Sequence, residues 1–424
     1  MHCVTVRSVV MWSCRLPPFL RNAATETMTT DAAPRVSRRQ LVPFAALSAS
    51  YFAHIGFFNP YLPLWLKHLG LSLWMIGLLT SMQAVTRVFA PYLWGWLSDR
   101  SGERVPLMRW CAGMALLCSI GLLFNDAPWW LAAVLFLMFT HTSAMMPMSE
   151  AAMAHLVSHQ GALDVRRYGR IRLWGSVGFL VTVFVSGHWF EVHGMADFPM
   201  WTVLTLLAIN LSVWSLPNVR EEAPHVKGQA GFGKVLRQPQ TLWFFATLFF
   251  HVLSHVAIYT FFSLYLDELG YGKDMIGVLW AVSVVVEIIG FFTQSRWLHW
   301  LSLPAWLCVC TGLMSLRMGM TAWYGQWLPV LLLAQCLHVF TFAIQHTVCI
   351  AWLSQHFPGR LRGRGQALYA VIGYGFTGVL GALGGAALST HWGLQTVFMA
   401  AIPVALLALL CAVGLLRASR QQPA

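Results

Sequence analysis

Residues 66–79 read LKHLGLSLWMIGLL and residues 266–279 read LDELGYGKDMIGVL. Leu66, Leu69, Gly70, Met75, Ile76, Gly77 and Leu79 recur as Leu266, Leu269, Gly270, Met275, Ile276, Gly277 and Leu279, at a constant offset and without a gap. Each copy covers the end of one apolar run, a short loop and the start of the next. Matches spread over run, loop and run mark a duplicated unit, beyond what shared apolar composition produces. Duplicated membrane-crossing halves related by a pseudo-two-fold axis enclose a cavity at their interface, near the midplane.

Working outward from the repeat, the chain is 58% hydrophobic and only 10% charged over 424 residues. Apolar runs long enough to cross a ~30 Å hydrocarbon core recur along nearly its whole length. Twelve spans are expected, near residues 41–66, 73–96, 106–124, 128–150, 169–191 and 198–216 in the first half. Those of the second half fall near 241–266, 275–295, 303–323, 326–350, 367–390 and 393–416. The expected fold class is an all-α integral membrane protein, with twelve transmembrane helices in two pseudo-symmetric six-helix bundles. Its parts are a tail at 1–40, a bundle at 41–216, a polar linker at 217–240, a second bundle at 241–416 and a tail at 417–424. The linker carries Pro217, Glu221, Glu222, Pro224, Gly228 and Gly231 and no apolar periodicity.

The net charge of +12 is a topology signal. Arg100, Arg104, Arg109, Arg166, Arg167, Arg170, Lys234, Arg237, Arg296, Arg362 and Arg417 all fall on one side of the membrane. The other side receives little beyond Lys67 and Lys273, beside Asp126, Glu191, Asp197, Asp267 and Glu268. By the positive-inside rule both termini are cytoplasmic, as an even number of spans requires. A nucleic-acid partner would need a basic face or stripe, which this distribution does not form. The nine cysteines show no C-x-x-C or Cys/His spacing, and most sit singly within apolar runs. Neither disulfide, metal nor cofactor is expected. The expected partners are a small-molecule substrate, protons and the lipid bilayer, and the chain is expected to act as a monomer.

Three apolar spans each hold an isolated ionisable group: Glu287, Arg317 and His338. At bilayer depth such a group costs roughly 3 kcal/mol even on a lenient insertion scale, so it is paired or faces a water-filled cavity. Acid, base and imidazole on successive spans suggest a proton path, and a structural ion pair that fixes helix packing is the alternative. Counting ~1.5 Å per residue from the outer ends of their spans, Glu287 and His338 both lie ~18 Å down and Arg317 ~9 Å. The repeat offset places Arg87 opposite Glu287, so these two charges are expected on opposite walls of one cavity. His54 and Asn59, with Tyr51, Phe57 and Phe58, recur in span 1 at about helical spacing and are expected to line it as well. Gly381 and Gly385 in span 11 form a small-xxx-small face for close helix packing.

Between spans 2 and 3 stands Gly95-Trp-Leu-Ser-Asp99-Arg100-Ser-Gly102-Glu-Arg104. It resembles the signature loop of the major facilitator superfamily, G-x-L-x-D-R-x-G-x-R/K, at every defining position. Gly95 is expected to permit close helix approach, Gly102 the tight turn, and Asp99 to hold a neighbouring helix end or basic side chain in one transport state. The matching loop of the second half, Gln294-Ser-Arg296-Trp-Leu-His299, retains little of the pattern.

Pro147-Met-Ser-Glu150 and Tyr168-Gly169-Arg170-Ile-Arg172-Leu-Trp-Gly175-Ser-Val-Gly178-Phe179 look like the proton symporters of the lactose permease and 3-phenylpropionate transporter group. That resemblance implies the major facilitator fold, Glu150 and Arg172 as substrate ligands, Phe179 as an aromatic wall, and Glu287, Arg317 and His338 as the proton-coupling set. Lactose permease has a further carboxylate after the histidine of span 10, where this chain has Gln345 and His346. It also has no counterpart of Arg87, the cation that an aromatic carboxylate would need; the alternative is that Arg87 pairs with an acid of the protein, Glu150 or Glu287. The expected function is proton-coupled import of a small organic acid such as 3-phenylpropionate, with a sugar or nucleoside as the alternative substrate. A membrane sensor or enzyme is disfavoured, because no soluble domain, nucleophile–base pair or nucleotide loop is present.

Overall fold

A computed structural model of the chain describes residues 38–143, 145–159, 162–163, 165–218, 232–357 and 361–420. The expectations for the tail 1–37 and for most of the linker lie outside the described residues. Twelve helices are long and apolar enough to cross a membrane. Spans 1–6 are Leu41–His68, Leu73–Ser98, Arg104–Leu123, Pro128–Glu150, Leu173–His193 and Met195–Trp214. Spans 7–12 are Pro239–Glu268, Lys273–Arg296, Leu303–Tyr324, Leu328–His356, Arg364–Trp392 and Leu394–Arg420. The largest departure from the sequence expectation is span 10, which runs on to His356 because Trp352 stacks on Phe244 and His356 stacks on Trp352, carrying the helix past its apolar stretch.

The duplication is visible in the packing. Span 1 packs on spans 5 and 6, span 3 on spans 4 and 6, and span 2 on span 4. Six spans on, the pattern repeats: span 7 packs on spans 11 and 12, span 9 on spans 10 and 12, and span 8 on span 10. The halves meet where span 2 crosses span 11 and span 8 crosses span 5.

The repeated loop explains this symmetry residue by residue. Gly70 and Gly270 both take the left-handed conformation, with φ of 78° and 87°, which only glycine adopts without strain. Leu71 N then donates to Leu66 O at 3.2 Å, and Tyr271 N to Leu266 O at 3.0 Å. Lys67 and Asp267 hold the same position in the two copies, yet their side chains form an ion pair at 2.7 Å. Two equivalent residues touch only if both stand beside the axis that relates them. One turn into the next helix, a Cβ at Gly77 would meet Ala382 O at 2.9 Å, and one at Gly277 would meet Val183 O at 2.8 Å. These glycines therefore let the halves approach at the two crossings. Gly381 and Gly385 do the same inside the second half, against Val256 and Phe261 of span 7.

Further contacts close this end of the bundle. Tyr61 Oη donates to Lys273 O at 3.0 Å, Lys273 N donates to Glu191 Oε2 at 2.5 Å, and Lys273 Nζ lies 3.6 Å from Asp267 Oδ1.

Among the described residues, π-helical winding occurs in three stretches, and all are in the second half. Ala257–Phe261, Val339–Ile344 and Val371–Phe376 are π-helical turns in spans 7, 10 and 11. Such turns cost backbone hydrogen-bond geometry and concentrate at functional positions.

Candidate functional site

A cavity of about 280 Å³ lies between the halves. The first half contributes Ile55, Asn59, Gln83, Arg87 and Phe139; the second contributes Val252, Val256, Tyr259, Thr260, Phe342 and Tyr374. Tyr259, Thr260, Phe342 and Tyr374 belong to the π-helical turns, so the irregular winding presents these side chains to the cavity. A shallower groove of about 830 Å³, lined by Gln240, His299, Trp352 and His356 among others, lies wholly in the second half. It has no wall from the first half and no charge among its lining at neutral histidines, so rocking of the halves would not gate it.

Asn59 and Arg87 border the cavity as expected. Gln83 Nε2 donates to Asn59 Oδ1 at 3.3 Å, which fixes the amide pair beside the guanidinium. Arg87 is half-buried and has no hydrogen-bond or ion-pair partner among the described residues. A cation at this depth without a counter-charge is costly, so the cavity contents are its natural partner.

Four expected site residues stand elsewhere. His54 is buried within the first half, its Nδ1 2.9 Å from Thr205 Oγ1 and its ring beside Phe58, so it serves packing between spans 1 and 6. Phe179 does not border the cavity; its backbone packs on Gly56, and Phe139, Tyr259, Phe342 and Tyr374 form the aromatic wall instead. Glu150 is half-buried at the end of span 4 and is not among the cavity-lining residues. Glu287 also stands back from the cavity, because its turn of span 8 faces span 10. The side chain of Arg172 lies outside the described ones.

Glu287, Arg317 and His338 do come together, behind the aromatic wall. Arg317 is fully buried. Its Nη1 donates to Thr341 Oγ1 at 2.9 Å and to His338 Nδ1 at 3.0 Å, and its Nη2 donates to Gln335 Oε1 at 2.8 Å. An imidazole nitrogen that accepts is unprotonated, so neutral His338 carries its hydrogen on Nε2. That atom lies 3.5 Å from Glu287 Oε2. Glu287 keeps 22% of its side chain accessible, against 6% for His338, so the acid is the less enclosed of the two. Phe342 stacks on His338 at 5.1 Å and separates it from the cavity.

Sequence reasoning missed Gln335, Thr341 and Ser283. Gln335, His338 and Thr341 recur every three residues on one helical face, a spacing that was readable. Ser283, which donates to Gln335 Oε1 at 2.6 Å, carries no comparable signal. A hydroxyl, Thr341, thus stands one turn beyond the histidine and meets the arginine directly.

In the signature loop, Gly102 has a φ of 67° and its N–H caps span 2 at Ser98 O, as the turn requires. Gly95 departs from expectation: a Cβ there would meet nothing within 4 Å among the described residues, so close approach at that point does not require the glycine. The Arg100 guanidinium lies over the Trp96 ring, 5.4 Å from its centroid. The side chain of Asp99 lies outside the described ones, and Arg104 opens span 3.

Two six-span repeats around a shared cavity are the architecture of a secondary transporter of the major facilitator type. Residues 46–400 match the MFS_1 like family, and the chain belongs to it. It is 27% identical over 339 residues to the "Probable 3-phenylpropionic acid transporter" of Escherichia coli (strain K12), covering 77% of this chain and 85% of that one. It is 26% identical to the maltose permease of Geobacillus stearothermophilus, over 76% of this chain and 81% of that protein. The crystal structure of the nucleoside transporter NupG superposes with a TM-score of 0.74 at 15% identity, covering 90% of this chain and 100% of that one.

Proposed function

We propose that this secondary transporter is a proton symporter that imports a small aromatic carboxylate of the 3-phenylpropionate kind. Arg87 carries the reading: it is a half-buried cation on the cavity wall with no partner among the described residues. A carboxylate supplies the missing charge, and a guanidinium receives it through two parallel hydrogen bonds. The aromatic wall opposite accommodates a ring. The cavity is small against the ~300–1,000 Å³ of ligand pockets generally, which suits one ring and a short acid chain. The amides of Asn59 and Gln83 favour a second reading, a polyhydroxylated substrate, with which the maltose permease relative agrees.

Proton coupling is assigned to Glu287, His338 and Arg317. Glu287 receives the proton because it is the accessible acid of the chain, and His338 passes the change to the buried arginine. The charge change then biases the halves toward one of two orientations about the cavity. Arg172 and Asp99, whose side chains lie outside the described ones, retain their assigned roles as substrate ligand and gate by resemblance alone. The distribution of Lys and Arg supports a bacterial inner-membrane setting with both termini cytoplasmic and the Lys67–Asp267 end outward.

Uptake of radiolabelled 3-phenylpropionate into proteoliposomes under an imposed proton gradient tests this reading. Accumulation that collapses on adding a protonophore is the expected result. Accumulation of maltose or uridine in place of the acid would move the assignment to the second substrate class, and indifference to the gradient would remove the proton from it. A C-terminal fusion active only outside the membrane would reverse the topology.

A further inference from the structure

Arg317 Nη1 carries two hydrogens, and three acceptors surround it. Thr341 Oγ1 lies at 2.9 Å, His338 Nδ1 at 3.0 Å and His255 Nε2 at 3.5 Å. The two nearer groups take both hydrogens, leaving His255 at the edge of hydrogen-bond reach. That allocation depends on the protonation of His338. One proton added to the Glu287–His338 pair puts a hydrogen on Nδ1 either way it is shared, as imidazolium facing the carboxylate or as the Nδ1–H tautomer accepting the Glu287 O–H at Nε2. Nδ1 then donates and can no longer accept from Arg317. One N–H of Nη1 is released, and the third acceptor within reach is His255 Nε2.

His255 is placed to pass that exchange on. Its ring lies parallel to that of Tyr259, with centroids 4.6 Å apart and an interplanar angle of 9°. Tyr259 borders the cavity and belongs to the π-helical turn of span 7, where the helix has already given up regular bonding. The other titratable and charged groups around His255 are accounted for. His251, one turn earlier on span 7, has its ring 6.3 Å away and its Nε2 2.8 Å from Thr341 O. From span 9 comes Arg317; from span 10 comes His338, ring to ring 5.5 Å, with Glu287 of span 8 beyond it.

We infer that His255 is the alternative acceptor through which protonation of the Glu287–His338 pair reaches the substrate cavity. On protonation Arg317 transfers one hydrogen bond from His338 to His255, and the His255–Tyr259 stack carries the displacement to the cavity wall. The proton enters from one aqueous phase and leaves to the other, so no reactant is consumed. His255 is a positioning residue, since Tyr259 stands between it and the substrate. The repeat offset puts Ile55 at the matching place in the first half, so only the second half contains the device. The inference rests on the proton-symport reading above.

The test compares wild type, His255→Phe and His255→Gln in proteoliposomes, by gradient-driven accumulation of 3-phenylpropionate and by counterflow at equal pH. Maltose and uridine are run in the same arms if the acid is not taken up. Phenylalanine keeps a ring over Tyr259 and removes the acceptor, whereas glutamine offers an amide oxygen near the place of Nε2. His255→Phe should retain counterflow while accumulation falls roughly tenfold or more, the effect of losing one hydrogen bond to a charged group. Its accumulation should also lose most of its dependence on external pH, and His255→Gln should recover both. Wild-type accumulation and pH profile in His255→Phe overturn the inference and leave symport standing. If wild type itself ignores the proton gradient, symport and inference fall together. Should His255→Phe lose counterflow through misfolding, His255→Gln decides: recovered drive supports the inference, and counterflow without drive overturns it.

Discussion

The two halves share a packing pattern and differ in what they bury. In the first half the described spans wind regularly near the cavity, and the matched positions 55, 59, 83 and 87 hold Ile, Asn, Gln and Arg. In the second half, positions 255, 259, 283 and 287 hold His, Tyr, Ser and Glu. The first-half set closes on itself through the Gln83–Asn59 bond and presents Arg87 to the cavity. Of the second-half set Tyr259 borders the cavity, whereas Ser283 turns to Gln335 and Glu287 to His338, and the π-helical turns of spans 7 and 10 bring Tyr259 and Phe342 between this polar cluster and the cavity. Duplication thus supplied two copies of one scaffold. One copy carries a cavity-facing cation and the other a buried titratable chain.

The comparison breaks most severely at Glu287. Replacing it by glutamine removes the accessible acid while keeping its shape, so uphill accumulation should vanish and exchange of substrate at equal pH should persist. Full accumulation in Glu287→Gln would place the proton elsewhere, and the two halves would then differ in packing alone. On the other side, Arg87→Gln should weaken apparent affinity for a carboxylate substrate by about 1.5–3 kcal/mol, roughly ten- to a hundredfold in the half-saturation concentration. Neutral sugars should be unaffected, and an equal loss for both classes would show that Arg87 supports the fold instead of the ligand.

Smaller effects sharpen the symmetry itself. A Cβ at Gly277 would stand 2.7 Å from Tyr61 Oη and 2.8 Å from Val183 O, and one at Gly77 would run into Ala386 Cβ and stand 2.9 Å from Ala382 O. Each Gly→Ala change should destabilise the closed end by about 1–3 kcal/mol, the usual cost of overpacking, and lower the melting temperature in detergent. A large effect at one glycine and none at its mate would mean that a single crossing closes this end. The smallest effect is expected at the axial ion pair, whose partners remain 43% and 21% exposed. Lys67→Asp should cost below about 1 kcal/mol and Asp267→Lys somewhat more, because Lys273 loses the same acid; the double exchange should recover only the Lys67–Asp267 share.

Much of this was legible in the chain. Span positions followed from apolar length, because lipid forces every backbone polar group to be satisfied within its own helix. The two-fold architecture followed from one repeated loop, whose Gly70 and Gly270 recur because both must adopt a positive φ. Grouping Glu287, Arg317 and His338 also followed, since an ionisable group at such depth requires a partner and few were available. Legibility failed where side-chain direction mattered. His54 and Phe179 have suitable chemistry and depth, yet His54 bonds to span 6 and Phe179 does not border the cavity, and a Cβ at Gly95 would meet nothing within 4 Å among the described residues.

The sequence by itself determined the class of the molecule, its duplicated halves and the identity of its buried charges, because burial costs in lipid are large and act on each residue separately. Only the tertiary structure decided that Arg87 meets the cavity while Glu287 stands behind it, and that His255 lies within reach of Arg317. Both outcomes depend on rotation about helix axes, and the π-helical turns of spans 7, 10 and 11 add a residue to a turn where those helices bring their rings to the cavity wall. No local pattern of residues encodes that rotation, because its cost is offset only by packing against helices distant in the chain.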